Sequence, residues 1–424
     1  MENEFDKIRK QSKAFKTVQG CMNCVNERTL VEEHQRQSKR KATGIDKMSK
    51  EEYEKELGQN VKDLVGRMKQ FSYKPKAVRR TYIPKGKDGK RPLGIPTYED
   101  KLVQGVMRRV LDEVYESRFL NHSYGFRKGK NAHQAITQLN HHIMRSKVNY
   151  IVDADIKGFF DNVDHNWLLK FLENDIEDKR FIRYIRRFLM AGIMEDNKFI
   201  ESDKGTPQGG LISPVLANVY LHYVLDVWFE KKIKKNYQGK AYIVRYADDF
   251  VCGFQYENEA LKFYEELKER LLKFGLELAE DKSKIIPFGR FAKQNNRGGE
   301  TFDFLGFTFI NGLTRTDKYR TVILTSKKKL KQKKQNVKDW LKTQRDNDII
   351  SMIEKLNKKI VGHYRYYGIS GNFKGLMKFY KFIVLAVYKM LTRRSQRNYL
   401  NFERYYKLIS KYPILKPKLY VNIW

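Results

Sequence analysis

Residues 242–251 read Tyr-Ile-Val-Arg-Tyr-Ala-Asp-Asp-Phe-Val, so two runs of strand-forming residues enclose a pair of acids. This pattern predicts two β-strands joined by a tight turn. Because neighbouring side chains of a straight strand point to opposite faces, Asp248 and Asp249 can approach one site together only if the chain turns sharply between the strands. Carboxylate oxygens on a rigid backbone are the ligands that Mg²⁺ prefers. The segment therefore predicts a hairpin with a metal-binding pair at its tip.

A second acidic segment lies upstream at residues 150–161, which read Tyr-Ile-Val-Asp-Ala-Asp-Ile-Lys-Gly-Phe-Phe-Asp. Apolar and acidic residues alternate here, which is typical of a strand with one acidic face. The alternation places Asp153 and Asp155 on that face, and both are candidate metal ligands. Phe160 follows Asp155 by five positions, and we expect Asp161 to have a structural role.

A glycine-rich loop separates the two acidic segments. Residues 204–218 read Lys-Gly-Thr-Pro-Gln-Gly-Gly-Leu-Ile-Ser-Pro-Val-Leu-Ala-Asn, a turn-rich stretch that leads into an apolar helix-like run. The two adjacent glycines would let the backbone approach a ligand closely. Gln208, just before them, can both donate and accept hydrogen bonds. The loop therefore predicts a ligand contact.

Basic residues flank a predicted turn, Lys-Asp-Gly, at residues 87–89. Arg79, Arg80 and Lys85 precede the turn, and Arg91 follows it. Fixed cations neutralise charge that builds up on a leaving phosphate group. Lys85 and Arg91 are the candidates for holding a polyphosphate.

Taken in chain order, these segments resemble the motifs of group II intron-encoded reverse transcriptases and maturases. Three further segments fit the same order: Ser-Tyr-Gly-Phe-Arg at 123–127, Gly-Leu-Glu-Leu-Ala-Glu-Asp-Lys-Ser-Lys at 275–284, and Phe-Asp-Phe-Leu-Gly-Phe at 302–307. The last resembles a primer grip and contains Gly306. The resemblance extends from about Lys41 to the end of the chain. It implies an RNA-directed DNA polymerase that uses two Mg²⁺ ions.

The resemblance also implies roles for individual residues. It favours Asp155 over Asp153 as the metal ligand, because an aromatic stands five positions after Asp155. In the family this aromatic excludes the 2′ hydroxyl of the sugar. The implied site has three residues that hold metal and four that contact the deoxynucleoside triphosphate: Asp155, Asp248 and Asp249, and Lys85, Arg91, Phe160 and Gln208.

The charge of the chain predicts a nucleic-acid partner. The formal net charge is +35, and residues 311–424 contain 28 lysines and arginines but only 6 acids. Such a concentration of cations is expected of a phosphate-binding surface. The alternative is a solvated helical face. Residues 326–342 predict a helix with eight lysines, and residues 356–368 interleave aromatics with cations, which suits either base stacking or core packing. The residues expected to contact template, primer or other RNA are Arg79, Arg80, Gly306, Lys327, Lys328, Lys331, Arg365, Arg393 and Arg394.

The resemblance implies an α+β fold arranged as a right-hand polymerase. Fingers and palm with an antiparallel sheet are expected over residues 76–310, after an N-terminal extension and the start of the fingers over 1–75. A helical thumb or maturase domain is expected over 311–390. A short basic tail similar to a DNA-binding segment is expected over 391–424.

The number and positions of the cysteines and histidines indicate the redox compartment and argue against a Cys/His nuclease site. Three cysteines give no disulfide framework and fit a reducing compartment, so a cytoplasmic protein associated with RNA and the nucleoid, of bacterial type, is expected. Cys21 and Cys24 form a CxxC pair without a second pair nearby, and their role is left open. No cysteine follows Cys252 and no histidine follows His363, so DNA cleavage by a Cys/His endonuclease is not expected. No membrane span is expected.

The predicted function is RNA-directed DNA synthesis, together with binding of intron RNA to assist splicing and retrohoming. The expected partners are an RNA template, a DNA primer, deoxynucleoside triphosphates, group II intron RNA and target DNA. Two alternatives remain: a domesticated reverse transcriptase in defence or repair, and an RNA-binding splicing factor whose polymerase is dispensable. The oligomeric state does not follow from the sequence.

Overall fold

The computed structural model describes residues 3–85, 89–206, 209–294, 299–394 and 400–424, without the side chains of Lys85 and Lys293. The chain forms two compact units. The first unit comprises residues 1–131, 154–250 and 261–284, and the second comprises residues 132–153, 251–260 and 285–424. Each unit therefore contains segments from distant parts of the sequence.

Helices and strands alternate irregularly along the described chain. The helices are α1 (Glu4–Ala14), α2 (Glu27–Arg36), α3 (Lys50–Glu54), α4 (Leu57–Lys69), α5 (Tyr98–Tyr115), α6 (Ala132–Arg145), α7 (Phe159–Asn162), α8 (His165–Asp175), α9 (Lys179–Leu189), α10 (Ser213–Leu221), α11 (Lys234–Asn236), α12 (Glu257–Lys273), α13 (Arg290–Gln294), α14 (Lys327–Lys342), α15 (Ile349–Tyr367), α16 (Phe373–Thr392) and α17 (Phe402–Lys411). The strands are β1 (Val78–Lys85), β2 (Gly89–Ile95), β3 (Tyr150–Ala154), β4 (Ile193–Glu195), β5 (Lys198–Ile200), β6 (Ala241–Tyr246), β7 (Asp249–Phe254), β8 (Lys284–Pro287), β9 (Thr301–Phe304), β10 (Phe307–Leu313) and β11 (Tyr319–Thr325). A 3₁₀ turn covers Cys21–Cys24, and π-helical turns cover His222–Asp226 and Phe229–Ile233.

The described strands form three sheets, in the orders β2-β1-β4-β5, β11-β10-β9 and β6-β7-β3-β8. In the first sheet β1 pairs with β2 and β4 with β5 in antiparallel fashion, while β1 and β4 run parallel. The second sheet is antiparallel throughout. The predicted combination of helices with antiparallel sheet is confirmed.

Helix α5 lies at the centre of the first unit. It packs against α1, α2 and α10, and its side chains are buried nearly all round. Several of the buried side chains are polar, among them Asp100, Lys101 and Gln104, so they need partners inside the core. The Thr97 side chain caps its first turn, and the buried Asp100 carboxylate accepts hydrogen bonds from Thr97 and from the hydroxyl of Tyr73. These bonds fix the chain just before β1.

The 302–307 motif forms a hairpin in the second unit. Leu305 and Gly306 connect β9 to β10, and both have positive φ, 51° and 78°. Two successive left-handed residues match the twist of a two-residue hairpin. The Tyr366 hydroxyl donates to the Leu305 carbonyl over 2.9 Å, and its ring stacks on Phe307. The hairpin tip is thereby fixed to α15.

Helix α14 is the predicted lysine-rich helix, and Ser326 caps it as expected. Its buried residues are Val337 and Leu341, whereas Lys327, Lys328 and Lys331 are exposed. In α15 the Tyr364 and Tyr367 rings are buried, so these two aromatics belong to the core. None of the described helices combines the length and apolar character needed to cross a bilayer.

The last residues of the chain pack within the second unit. The amide nitrogens of Tyr420 and Val421 donate to the Gly368 carbonyl, and the Asn140 side chain donates to the Ile423 carbonyl. The basic segment predicted for 391–424 thus contains both α17 and this packed strand-like end. The predicted domain boundaries at 75, 310 and 390 stay a prediction.

Candidate active site

The predicted hairpin is present, and its turn is strained. Strands β6 and β7 are neighbours joined by Ala247 and Asp248, and Ala247 has φ of 58°. A residue with a Cβ in this left-handed region costs roughly 1 kcal/mol. Asp248 and Asp249 follow directly and are half-buried. The turn must therefore be held by contacts outside the hairpin.

Arg245 supplies the main contact. Its side chain is fully buried, as is that of Asp226. The guanidinium donates Nε–H to Asp226 Oδ1 over 2.8 Å and an Nη2–H to Oδ2 over 2.5 Å. Its Nη1 donates to the Ala247 carbonyl over 2.9 Å. A member of this buried ion pair thus binds directly to the backbone of the turn that carries the two acids.

Asn218 and Gly125 support the same turn. The Asn218 amide oxygen accepts from Arg245 over 3.0 Å, and its nitrogen donates to the Gly125 carbonyl over 2.7 Å. A Cβ on Gly125 would lie 2.3 Å from the Ala247 nitrogen. Only glycine fits at that distance, so the 123–127 motif has a packing role here.

Two histidines lie beside the buried pair. His122 faces Asp226 at 3.5 Å and Glu230 at 3.4 Å. Burial by itself raises the pKa of Asp226, but the Arg245 charge and hydrogen bonds hold it below its usual value. Burial lowers the pKa of His222 to about 4, which keeps that ring neutral. Asp226 ends a π-helical turn, a local widening of the helix that often occurs at functional sites.

Asp155 lies just after β3 and is held by the segment around residue 280. Its carbonyl accepts from the Ala279 amide over 2.8 Å, and its own amide donates to Ser283 Oγ over 3.2 Å. Lys282 Nζ lies 3.5 Å from the Asp155 carboxylate. The 275–284 motif therefore positions this acid through its backbone.

The Asp248 carboxyl lies within electrostatic reach of the Asp155 carboxylate. Burial raises the pKa of the Asp248 carboxyl, the Asp155 charge raises it further, and the charges of Arg91 and Arg245 oppose the change. Two half-buried carboxylates that repel each other form a site that a divalent cation would neutralise. Asp155, Asp248 and Asp249 all belong to the first unit, whereas Asp153 belongs to the second. The donors suit a hard cation, although no group of three ligating side chains is preassembled among the described residues.

The loop predicted to contact nucleotide lies against β2. A Cβ on Gly209 would be 2.5 Å from the Gly94 carbonyl oxygen, and the Leu211 amide donates to Gln104. Earlier in the loop, the Thr206 amide donates to the Phe160 carbonyl over 2.8 Å. Phe160 is half-buried and packs edge-on against Phe159. The loop thus connects the β2 region to the residue predicted to select the sugar.

Other predicted nucleotide contacts are only partly described. Arg91 is exposed on β2, opposite Ile83, and its charge reaches Asp248. Gln208 lies outside the described residues, as does the side chain of Lys85. Their roles stay a prediction.

The residues predicted to contact nucleic acid fall into two groups. The exposed ones are Lys327, Lys328, Lys331, Arg365 and Arg393. The others already bind protein groups: Arg79 donates to the Thr43 carbonyl, Arg80 lies 3.8 Å from Glu195, and Arg394 donates to the Gln344 carbonyl. Gly306 faces Tyr367, whose hydroxyl would lie 3.0 Å from a Cβ at that position. The geometry therefore suits the exposed group better for direct contact with phosphates.

Arg245, Asp226 and Asn218 were not predicted as parts of the site from the sequence. The available signal was Arg245 itself, a cation in an otherwise apolar strand run, because a buried charge requires a partner. Its partners could not be located from sequence. Cys21 and Cys24 are buried thiols in a 3₁₀ turn, and burial raises the pKa of Cys24 to about 12. Both are therefore poor nucleophiles.

The chain belongs to the reverse transcriptase (RNA-dependent DNA polymerase) family, whose model matches residues 83–309, more than half of its length. That range contains the hairpin, Asp155 and the glycine-rich loop. Members of this family generally use divalent metal ions.

Among individual proteins, the chain is similar to group II intron-encoded protein LtrA of Lactococcus lactis subsp. cremoris, with 38% identity over 177 residues, 42% of this chain and 29% of LtrA. It is 31% identical to protein YkfC of Escherichia coli (strain K12) over 313 residues, 66% of this chain and 78% of YkfC. Nuclear intron maturase 2, mitochondrial, of Arabidopsis thaliana is 27% identical over 183 residues, 33% of this chain and 24% of that protein. The chain thus spans less than a third of LtrA and of the maturase. The resemblance predicted from the motifs is confirmed.

Replacing Arg245 by methionine is expected to destabilise the first unit by about 3–5 kcal/mol, because Asp226 is left buried without its partner. Urea denaturation followed by circular dichroism measures the change. The double variant Arg245→Met/Asp226→Leu is expected to recover much of the loss, since neither charge remains. Equal stability of the single variant and the wild type would contradict the role assigned to the pair.

Stability is expected to depend on the protonation of His122. Burial by itself lowers the pKa of this ring, but Asp226 and Glu230 raise it above its usual value, so the folded protein binds the proton more tightly than the unfolded chain. This stabilisation is fully present below the unfolded pKa of about 6.5 and is lost as the pH rises through the folded pKa. His122→Asn should therefore lower the free energy of unfolding more at about pH 6 than at about pH 9. An equal loss of stability at both pH values would refute this prediction.

Proposed function

We propose that this chain is an RNA-directed DNA polymerase of the group II intron type. The observation that carries the proposal is the pairing of Asp248, on a hairpin anchored by a buried ion pair, with Asp155, whose charge raises the Asp248 pKa. Membership of the reverse transcriptase family supports the same chemistry. The right-hand arrangement, with fingers and palm over 76–310 and a thumb over 311–390, is part of the proposal.

Asp155, Asp248 and Asp249 would hold two Mg²⁺ ions. When bound, such ions activate the primer 3′ hydroxyl and stabilise the charge of the leaving pyrophosphate. The residues of the chain position this site. Arg245 and Asn218 fix the turn before Asp248, and the Ala279 amide fixes Asp155. Since the acids are held by backbone contacts, little reorganisation is needed before reaction.

The deoxynucleoside triphosphate would lie beside the contact between the glycine-rich loop and β2. Arg91 is within electrostatic reach of Asp248, so it is suited to hold the triphosphate beside the metal site, together with Lys85. Phe160 would exclude the 2′ hydroxyl and Gln208 would position the nucleotide. The close packing of Gly209 on Gly94 supports this placement, because it brings the loop to the strand that carries Arg91.

The proposed macromolecular partners are an RNA template, a DNA primer, intron RNA and target DNA. The exposed lysines of α14 and the exposed Arg365 and Arg393 would contact phosphates. The printed names of LtrA and of the Arabidopsis protein associate those relatives with introns, and we extend splicing assistance and retrohoming to this chain as proposals. The cytoplasmic location stays a prediction.

Two alternatives are kept. A domesticated reverse transcriptase of defence or repair would use the same catalytic residues with a different RNA. A splicing factor with a dispensable polymerase would tolerate the loss of a metal carboxylate, and this chain retains all three. Splicing of an intact intron by a folded Asp248→Ala variant would separate the two activities. Loss of both splicing and DNA synthesis in that folded variant would mean that the two activities cannot be separated.

Primer extension on an RNA template with deoxynucleotides and Mg²⁺ tests the proposal. Asp248→Ala is expected to reduce extension at least about 100-fold, because the site loses a carboxylate that holds metal at the reacting groups. Asp161→Asn is the matched control: it removes an exposed acid six residues after Asp155 and should retain near wild-type extension. Absence of extension by folded wild type would contradict the proposed function.

A further inference from the structure

Helix α9 presents a basic face that the catalytic site does not use. Its sequence, Lys-Arg-Phe-Ile-Arg-Tyr-Ile-Arg-Arg-Phe-Leu, is strongly amphipathic. The apolar side chains are buried, whereas Lys179, Arg180, Arg183 and Arg186 are exposed along one stripe. Residues spaced by three or four positions lie next to one another on a helix. The stripe is therefore a continuous row of cations.

Most of this charge is not neutralised by the protein. Arg180 lies 3.7 Å from Asp178, a buried acid that also caps α9. Within the described part of the chain, Lys179, Arg183 and Arg186 form no ion pair with a carboxylate. Unpaired cations in a row attract a polyanion, and their spacing along the helix suits successive phosphates.

A cleft adjoins this row of cations. It has a volume of about 690 Å³, within the range of ligand-binding clefts. Its charged lining residues are the cations Arg28, Lys69 and Arg180 and one acid, Glu27. Arg28 is already paired with Glu4 and Glu32. Its floor is apolar and aromatic, with Val25, Val65, Met68, Phe71 and Tyr184. A flat apolar group could enter the cleft while its charged neighbours remain on the helix.

The floor of the cleft is rigid. Arg187 donates to the carbonyls of Phe71 and Tyr73, and the Tyr184 hydroxyl donates to the Met68 carbonyl over 2.7 Å. The Arg183 guanidinium lies 4.5 Å from the centre of the Phe71 ring. A cation fixed over an aromatic ring beside an open cleft is a surface on which a nucleobase can stack. Asn23, at the rim, offers an amide for hydrogen bonds to a base edge.

We propose that α9 and the adjoining cleft form a second RNA-binding surface, which holds the phosphate backbone of a folded RNA and accepts one of its unpaired bases. RNA recognition commonly relies on splayed bases in loops, and the combination of a cation row with an apolar cleft fits a loop better than a regular duplex. This inference rests on the proposed function, since it supplies that polymerase with a contact for RNA other than the one being copied. It places part of the RNA affinity in residues 22–28, 65–71 and 179–186.

The experiment uses the full chain saturated with unlabelled RNA template and DNA primer, so that the polymerase cleft is filled. The probe is a fluorescein-labelled RNA stem-loop with a loop of uridines, and binding is followed by fluorescence anisotropy. The charge variant is Lys179→Gln/Arg183→Gln/Arg186→Gln. The matched control is Lys231→Gln/Lys232→Gln/Lys235→Gln, which removes three other exposed lysines of the first unit.

The charge variant is expected to bind the stem-loop roughly tenfold more weakly, with a salt dependence reduced by about two to three counterions. The control should bind within about twofold of wild type. Equal weakening of both variants would mean that only net charge matters and would overturn the proposal. Retention of full affinity by the charge variant would also overturn it.

A cavity-filling variant tests the base contact separately. Asn23→Trp removes no charge but fills the cleft, so it should weaken binding of the stem-loop and leave binding of a blunt RNA duplex unchanged. Equal affinity of wild type and Asn23→Trp for the stem-loop would exclude insertion of a base. Equal affinity for a DNA stem-loop of the same sequence would contradict recognition of RNA.

The same preparations are assayed by primer extension on a short template. Extension by the charge variant at wild-type level together with weaker stem-loop binding is the expected result. If folded wild type itself does not extend a primer, the proposed polymerase fails independently of the α9 surface. If extension is normal and the stem-loop affinities are unchanged, only the α9 inference fails.

Discussion

The buried ion pair between Arg245 and Asp226 is the interaction on which the catalytic hairpin depends. Two charges without water contact are tolerated because the guanidinium binds the carboxylate with two hydrogen bonds and its Nη1 donates to Ala247 and Asn218. The same hydrogen bonds hold the left-handed Ala247, whose backbone leads directly to the acids. A positive charge close to Asp248 also opposes the rise of its pKa, so one residue contributes both geometry and electrostatics.

Asp155 is fixed by contacts of a different kind. Its carboxylate is half-exposed, and it is positioned by backbone hydrogen bonds to residues 279 and 283 together with the Lys282 ammonium. The turn before Asp248 is thus held by a buried hydrogen-bond network, whereas Asp155 is held by contacts at a partly exposed position. This asymmetry leaves one side of the acidic site accessible to substrate and ions while the other stays rigid.

Local sequence patterns predicted several elements of the fold and of the candidate site. The alternating strand of Asp155, the hairpin of Asp248 and Asp249, and the Ser326-capped lysine helix follow from short-range spacing, which is why they could be predicted. The partners of Arg245 could not be predicted, because Asp226 and Asn218 lie in helical turns 19 and 27 residues away in sequence, and the turn of Asp226 is π-helical. From the sequence, Tyr364 and Tyr367 could either pack in the core or stack on bases. The structure shows that both rings are buried in the core by the packing of α15. The basic face of α9 was overlooked because its cations alternate with core residues and form no run.

Asp155, Asp248 and Asp249 are proposed to form together the metal site of an RNA-templated DNA polymerase. Isothermal titration of Mn²⁺ into the protein bound to an RNA template, a DNA primer and a non-hydrolysable deoxynucleotide tests it directly. We expect two bound ions for wild type and for Asp161→Asn, and the loss of at least one ion in Asp155→Ala and in Asp248→Ala. Unchanged Mn²⁺ stoichiometry and affinity in both alanine variants would contradict it.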